Sequence, residues 1–168
     1  ELIRELFLFA RNTGASLSPF NAWVLSKSLE TLAVRVDRHC DNAFTIAEKL
    51  EVSQNINWVK YPFLKSHPQY ALAKKQMLKG GNIIAFELIG GLEAGQNFIN
   101  AIELCSLSSN LGDSRTIITH PASTTHSKLT KEDRMAVGIT DGMIRLSIGL
   151  EHPEDIWNDL KNALSKIG

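Results

Sequence analysis

Apolar residues recur at helical spacing from the first residues, where Leu2, Leu6 and Phe9 share a face before Asn12-Thr13-Gly14 offers a stop. Ser18 ahead of Pro19 makes a cap and first-turn pair, because proline lacks the N–H that would go unbonded there. From that point Trp23, Leu25, Leu29, Leu32, Val36, Phe44, Ile46 and Leu50 keep the helical period, predicting one long helix of roughly 30 residues. Its bend is expected near Asp37 to Asp41, and two shorter helices remain the alternative reading. A short strand is predicted at 56–60 before Tyr61-Pro62, then a helix over 68–77 that Gly80-Gly81 ends. The run 82–88, with Ile83, Ile84, Phe86 and Leu88 between glycines, reads as a core strand.

Beyond it, Ala94, Phe98 and Ile102 mark a helix over 93–104. Short strands are predicted at 106–109 and 116–119, around an Asn110-Leu111-Gly112-Asp113 turn. Thr130 followed by Asp133 predicts a capped helix over 131–137. The last strand is placed at 143–148. The last helix is placed at 153–167, with Ile156, Leu160, Ala163 and Leu164 on one stripe. Strands separated by helices without a repeat period indicate an α+β fold, an α/β sandwich with helices packed on a small sheet.

Composition narrows the function more than the fold. The chain has 168 residues, 43% of them hydrophobic, enough to bury one core. Its 18 basic and 18 acidic side chains cancel, so no broad footprint for nucleic acid or an anionic membrane exists. Protein surfaces and small molecules are the expected partners. Cys40 and Cys105 lack metal-type spacing and read as buried thiols in a reducing compartment. Arg4 and Glu5 interrupt the opening apolar residues, which suits an amphipathic helix better than a signal peptide. No stretch approaches the roughly 20 apolar residues of a membrane span.

One charge stands out against this pattern. Arg145 lies in Met143-Ile144-Arg145-Leu146-Ser147-Ile148, an apolar strand where a cation is costly unless paired. Alternation puts Met143, Arg145 and Ser147 on one face and Ile144, Leu146 and Ile148 on the other. Its guanidinium fork matches a carboxylate, so a structural ion pair and a bound acid are both open readings. Asn110 and Gly112 alone read as turn residues. His120 and His126 invite a metal, but no cysteine or carboxylate set completes a site, and they read as polar loop residues.

Three blocks carry a resemblance. SSNLGDSRTIITHPASTTHSKLTKEDRMAVGITDGMIRLSIGLEHPEDI (108–156) is similar to the C-terminal signature of the Cys/Met-metabolism family of pyridoxal-phosphate enzymes. GASLSPFNAWVLSKSLETLAVRVDRHCDNAFTIAEKLE resembles the helix joining that family's cofactor domain to its small domain, and YPFLKSHPQYALAKKQMLKGGNIIAFELIGG resembles the stretch after it.

The resemblance implies the C-terminal domain of a fold-type I transferase, with a mostly antiparallel sheet preceded by a long interdomain helix. Residues 1–36 would form the interdomain helical segment and 37–168 the small domain. The N-terminal cofactor domain, with the lysine that carries pyridoxal phosphate, would lie outside this chain. No catalytic group is therefore expected here, and the chain alone is expected to be inactive. Exposed apolar surface is expected where that domain docks.

The resemblance also implies roles. The arginine of this strand, Arg145, binds the substrate carboxylate. Asn110, where many members have serine, sits in a loop touching the same carboxylate, and its separation from Arg145 matches the family spacing without a gap. Leu111 adds backbone contacts there. Thr125 corresponds to a threonine that hydrogen-bonds near the carboxylate and helps orient the arginine. Ser109 and Ser123 are weaker candidates for the pocket wall.

Asn-Leu-Gly-Asp with Thr-His-Pro-Ala-Ser-Thr-Thr-His resembles the sulfhydrylases more than the lyases, which tend to carry Ser-Leu-Gly-Gly. The implied substrates are O-succinylhomoserine or O-acetylhomoserine and sulfide. The product is homocysteine for methionine synthesis, made in a cytoplasmic homotetramer. Cystathionine gamma-synthase and methionine gamma-lyase are the enzymatic alternatives, and an inactive binding or assembly module is the alternative of another class.

Overall fold

The computed structural model describes residues 1–14 and 17–167; Ala15, Ser16 and Gly168 lie outside the description. Two compact units result, Glu1–Val34 and Arg35–Gly168.

The first unit holds helix α1 (Leu2–Thr13) and helix α2 (Pro19–Leu29). Gly14 ends α1 in the left-handed conformation at φ 63°. Ser18 caps α2 by accepting from the Asn21 N–H at 3.2 Å, as the Ser-Pro pair predicts. Neither helix buries a side chain, and Ile3, Phe7, Phe9, Phe20, Trp23 and Leu29 are all well exposed.

The predicted 30-residue helix is two helices. Helix α3 (Leu32–Glu51) starts after a turn at Glu30-Thr31 and then runs unbroken through 37–41, where the bend was expected. At the break the Glu30 N–H bonds back to the Lys27 carbonyl, a tightened last turn, and Lys27 pairs with Glu30 at 2.9 Å. No glycine or proline marks this point, so the apolar period hid it.

The second unit is built on five strands: β1 (Ile56–Lys60), β2 (Ile83–Leu88), β3 (Ser106–Leu107), β4 (Ile117–Thr119) and β5 (Met143–Ser147). Their order across the sheet is β1-β2-β5-β4-β3. All pairs are antiparallel except β3 with β4, which run parallel across the loop between them. This is the mostly antiparallel sheet that was expected.

Four more helices complete the unit: α4 (Tyr70–Gln76), α5 (Gly91–Asn100), α6 (Lys131–Ala136) and α7 (Pro153–Leu164). Helix α4 starts two residues after Pro68, because Tyr70 first bonds back to His67 in a turn. Helix α5 ends at Asn100 rather than Leu104. The N–H groups of Glu103, Leu104 and Cys105 bond instead to the Asp159 carboxylate, at 2.9, 3.0 and 2.9 Å. Asp159 thus turns the chain into β3.

One sheet face carries the core. Ile84, Phe86 and Leu88 of β2, Ile118 of β4, and Ile144 and Leu146 of β5 are buried. They share one cluster with Ala43, Ile46 and Leu50 of α3, Phe98 of α5, and Ile156 and Leu160 of α7. Phe86 meets Phe98 edge to face, with ring centroids 5.9 Å apart. Helix α3 is also tied to the end of β5 by polar bonds. His39 Nδ1 donates to the Ile148 carbonyl at 2.6 Å, and Asn42 Nδ2 to those of Gly149 and Glu151. These bonds set where β5 ends, and with it the position of Arg145.

Glycine enables a close approach between α5 and His120. A Cβ on Gly95 of α5 would lie 2.4 Å from His120 Nε2. The imidazole cannot retreat, since Nε2 donates to the Asp141 carbonyl and Nδ1 accepts from Ser123, each at 2.8 Å. Gly95→Ala is therefore expected to lower stability by about 2–3 kcal/mol, read as a fall in urea midpoint at unchanged slope.

Cys40 and Cys105 are free and buried. Burial, and then the neighbouring Asp159, push the Cys105 thiol far above its usual range, which leaves it inert. Among the described residues no helix is long and apolar enough to cross a membrane.

Candidate substrate-carboxylate site

Arg145 projects from the sheet face opposite the core. Its register neighbours there are Ala85 on β2 and Thr119 on β4, one small and one polar, which leaves room for a guanidinium above the sheet. Among the described residues, all its side-chain hydrogen bonds fall on Nη2. The Ser109 carbonyl accepts at 2.8 Å, the Asn110 carbonyl at 3.0 Å, and Thr119 Oγ1 at 3.5 Å. No described carboxylate pairs with it. Nε is buried and has no partner.

A structural ion pair is absent among the described residues, while carbonyls take up one end of the fork. A guanidinium without an ion partner still has donors that need acceptors, and a carboxylate supplies both the acceptors and the opposite charge. The geometry fits a carboxylate arriving from the open face.

The Asn110 loop lies over this arginine. Asn110 presents its carbonyl to Nη2, and its side chain is exposed, as is that of Leu111. Gly112 takes φ 79°, a conformation that favours glycine. Its N–H donates to the buried Ser147 Oγ at 2.8 Å.

Thr125 lines a cavity of about 410 Å³ together with Leu107, Ser108, Ser109, Thr119 and Thr124. Two of these, Ser109 and Thr119, are partners of Arg145. Thr125 Oγ1 bonds His126 Nδ1 at 2.8 Å, whereas Thr119 is the threonine beside the guanidinium. Ser123 is engaged with His120 and does not line this cavity. The cavity brings Ser109 and Thr125 together; Arg145 and Asn110 do not line it, and Arg145 adjoins it through Ser109 and Thr119, while Leu111 is exposed on the loop.

Thr119 and Ser147 were not singled out by sequence reasoning. Ser147 shares the face of Arg145 by strand alternation, which was a usable signal. The pairing of Thr119 opposite Arg145 needed the β4–β5 register, which the sequence does not display.

A second cavity of similar volume lies in the same unit, lined in part by Phe44, Tyr61, Phe63 and Tyr70, and holds none of these residues. Both ring nitrogens of His120 are bonded to protein, so it has no lone pair to offer a metal. No group of three metal-ligating side chains occurs among the described residues.

The loop after Thr125 is braced by Asp141, which receives Arg134 Nη2 at 2.7 Å and Lys131 Nζ at 2.9 Å. Helix α6 is capped by Thr130, whose Oγ1 accepts from the Asp133 N–H at 3.1 Å. Arg134, and then Lys131, hold the Asp141 carboxyl below the usual carboxylate range. A depressed value means that Asp141 stabilises the fold at any pH above the ordinary carboxylate value. That contribution is lost as pH falls through the lower folded value. Comparing acid unfolding of the wild type with Asp141→Asn should show this component missing from the variant.

The chain is 51% identical over 155 residues to an L-methionine gamma-lyase of Porphyromonas gingivalis, covering 92% of the chain and 39% of the lyase. It is 45% identical over 159 residues to an O-acetyl-L-homoserine sulfhydrylase of Leptospira meyeri, covering 94% of the chain and 36% of that protein. Its fold matches a Campylobacter jejuni structure described as an O-acetylhomoserine (thiol)-lyase bearing pyridoxyl-lysine phosphate. The TM-score is 0.85 and the identity 42%, over 97% of this chain and 39% of that one. The chain thus spans well under half the length of these relatives. A family model for Cys/Met metabolism PLP-dependent enzymes matches residues 1–165, and the chain belongs to that family.

Proposed function

We propose that this chain is the substrate-carboxylate-binding part of a pyridoxal-phosphate-dependent sulfhydrylase that makes homocysteine from O-succinylhomoserine or O-acetylhomoserine and sulfide. The observation that carries the binding role is that Arg145 has no carboxylate partner among the described residues while two carbonyls hold one end of its guanidinium. The cofactor, when bound, supplies the electron sink for chemistry at the γ-carbon. The chain's own residues bind and orient. Arg145 fixes the carboxylate, the Asn110-Leu111 loop closes over it, and Thr125 lines the adjoining wall. Fixing the acid end fixes where the amino acid's α-carbon stands.

The remaining protein, including the cofactor domain, would cover the exposed apolar side chains of α1 and α2. Residues 1–36 would serve as the interdomain segment and 37–168 as the small domain of a cytoplasmic homotetramer. Supporting this are the large apolar residues left open on both helices and the partial coverage of each relative.

A second reading is methionine gamma-lyase, favoured by the 51% identity to the Porphyromonas protein against 45% to the sulfhydrylase. The Asn-Leu-Gly-Asp loop and the Thr-His-Pro-Ala-Ser-Thr-Thr-His run favour the sulfhydrylase. Assay of the complete enzyme separates them. Homocysteine formed from acylated homoserine and sulfide, with little 2-oxobutanoate from methionine, is the expected outcome. Efficient breakdown of methionine with negligible sulfide addition would assign the lyase instead.

A further inference from the structure

Arg145 has a flexible side chain, and its use as an anchor depends on what holds the guanidinium still. The two carbonyls that hold it belong to Ser109 and Asn110, in a loop whose own side chains at 109–112 are exposed. Such a loop needs tethers. At its start Thr119 Oγ1 donates to the Ser108 carbonyl, and the Ser108 N–H bonds the Ile118 carbonyl at 3.2 Å. At its end the Gly112 N–H bonds Ser147 Oγ at 2.8 Å, and the next main-chain tie to the sheet region comes only at Ser114, whose carbonyl accepts from Leu150.

Ser147 lies two residues beyond Arg145 on β5, about 7 Å along the strand. Its side chain is fully buried, where a hydroxyl is costly unless bonded. Its oxygen accepts from both Gly112 N and, at 3.1 Å, Asn82 Nδ2. The loop therefore bridges one strand, with the arginine beneath its middle and the serine beneath its end.

We propose that Ser147 is a positioning residue for the carboxylate site: by holding the Gly112 N–H, it keeps the Ser109 and Asn110 carbonyls on Arg145 Nη2 and so fixes the guanidinium for substrate. This rests on the reading of Arg145 as the carboxylate anchor. Ser147 touches no substrate in this scheme; it acts through the loop. Losing its oxygen leaves the Gly112 N–H unbonded and lets the carbonyls drift. The substrate is then held less well in ground and transition states alike, which raises KM and spares kcat.

The test uses the complete enzyme, assayed with O-acetyl-L-homoserine plus sulfide or with L-methionine, whichever it turns over. Ser147→Ala, Ser147→Cys and Arg145→Ala are compared with wild type for kcat, KM and thermal midpoint. Ser147→Ala should raise KM about tenfold with kcat within about twofold. Ser147→Cys, similar in size but a weak acceptor, should also raise KM, by less. KM does not depend on how much enzyme is folded, so partial misfolding of the alanine variant does not spoil the readout, and the cysteine variant carries the test should it not fold at all.

A drop in thermal midpoint or in active fraction with KM unchanged would make Ser147 merely structural and overturn the proposal. Arg145→Ala separates the two claims. If it raises KM while both Ser147 variants leave KM alone, only the positioning role fails. If it too leaves KM alone, the anchor reading itself is wrong.

Discussion

Arg145→Ala in the complete enzyme should lower kcat/KM for the amino-acid substrate by at least about a hundredfold, while the thermal midpoint stays near that of wild type. The expectation follows from what the guanidinium touches. Its protein partners are two main-chain carbonyls and one distant hydroxyl, so removing it breaks no ion pair among the described residues. The carbonyls lie in an exposed loop and can turn to water. Little folding energy is at stake. A bidentate carboxylate, by contrast, would lose two charge-assisted hydrogen bonds, each worth about 1.5–3 kcal/mol. Together that is 3 kcal/mol or more, about two orders of magnitude at least. Arg145→Lys should recover only part of this, because an ammonium restores the charge without the planar fork. Steady-state kinetics with all three enzymes checks the order. Equal activity of wild type and alanine variant would remove Arg145 from the site.

The largest effect on stability is expected at Asp159. Its carboxylate, nearly buried on α7, accepts from three successive N–H groups, those of Glu103, Leu104 and Cys105. No other side chain supplies acceptors to that turn among the described residues. Asp159→Ala leaves three donors without partners, and that of Cys105 sits in the core cluster. An unsatisfied buried donor costs about 1–3 kcal/mol, and the two beside exposed side chains can recover some of it from water. A loss of about 3 kcal/mol results, or roughly 10 °C in thermal midpoint for a unit of this size. Asp159→Asn keeps one acceptor oxygen but turns an N–H₂ toward the donors, so it should fall between. If Asp159→Ala unfolds like wild type, the three bonds contribute nothing to the fold.

Much of this architecture was legible in the chain because strand and helix periods were clear and their ends carried chemical markers. Ser18-Pro19 and Thr130 became caps, and the alternation of 143–148 put Ile144 and Leu146 in the core and Arg145 outside it. Where no marker exists, the reading failed. The break at Glu30-Thr31 interrupts a continuous apolar period, with no glycine or proline to announce it. The end of α5 is imposed by Asp159, more than fifty residues away, which no local pattern can convey. The site divides in the same way. Arg145 was visible as a costly charge in an apolar strand, and Asn110 and Thr125 by resemblance. Thr119 and Ser147 matter through register and through a main-chain N–H, neither of which the sequence carries.

The central claim is that Arg145 recognises a carboxylate, and the most direct test changes the carboxylate as well as the arginine. In the complete enzyme, kcat/KM would be measured for an amino-acid substrate and its primary carboxamide, each with wild type and Arg145→Ala. The account expects wild type to favour the acid over the amide by about a hundredfold or more, and this preference to collapse toward unity in the variant. An acid preference that survives intact without Arg145 would mean that another group reads the carboxylate, and the account would be wrong.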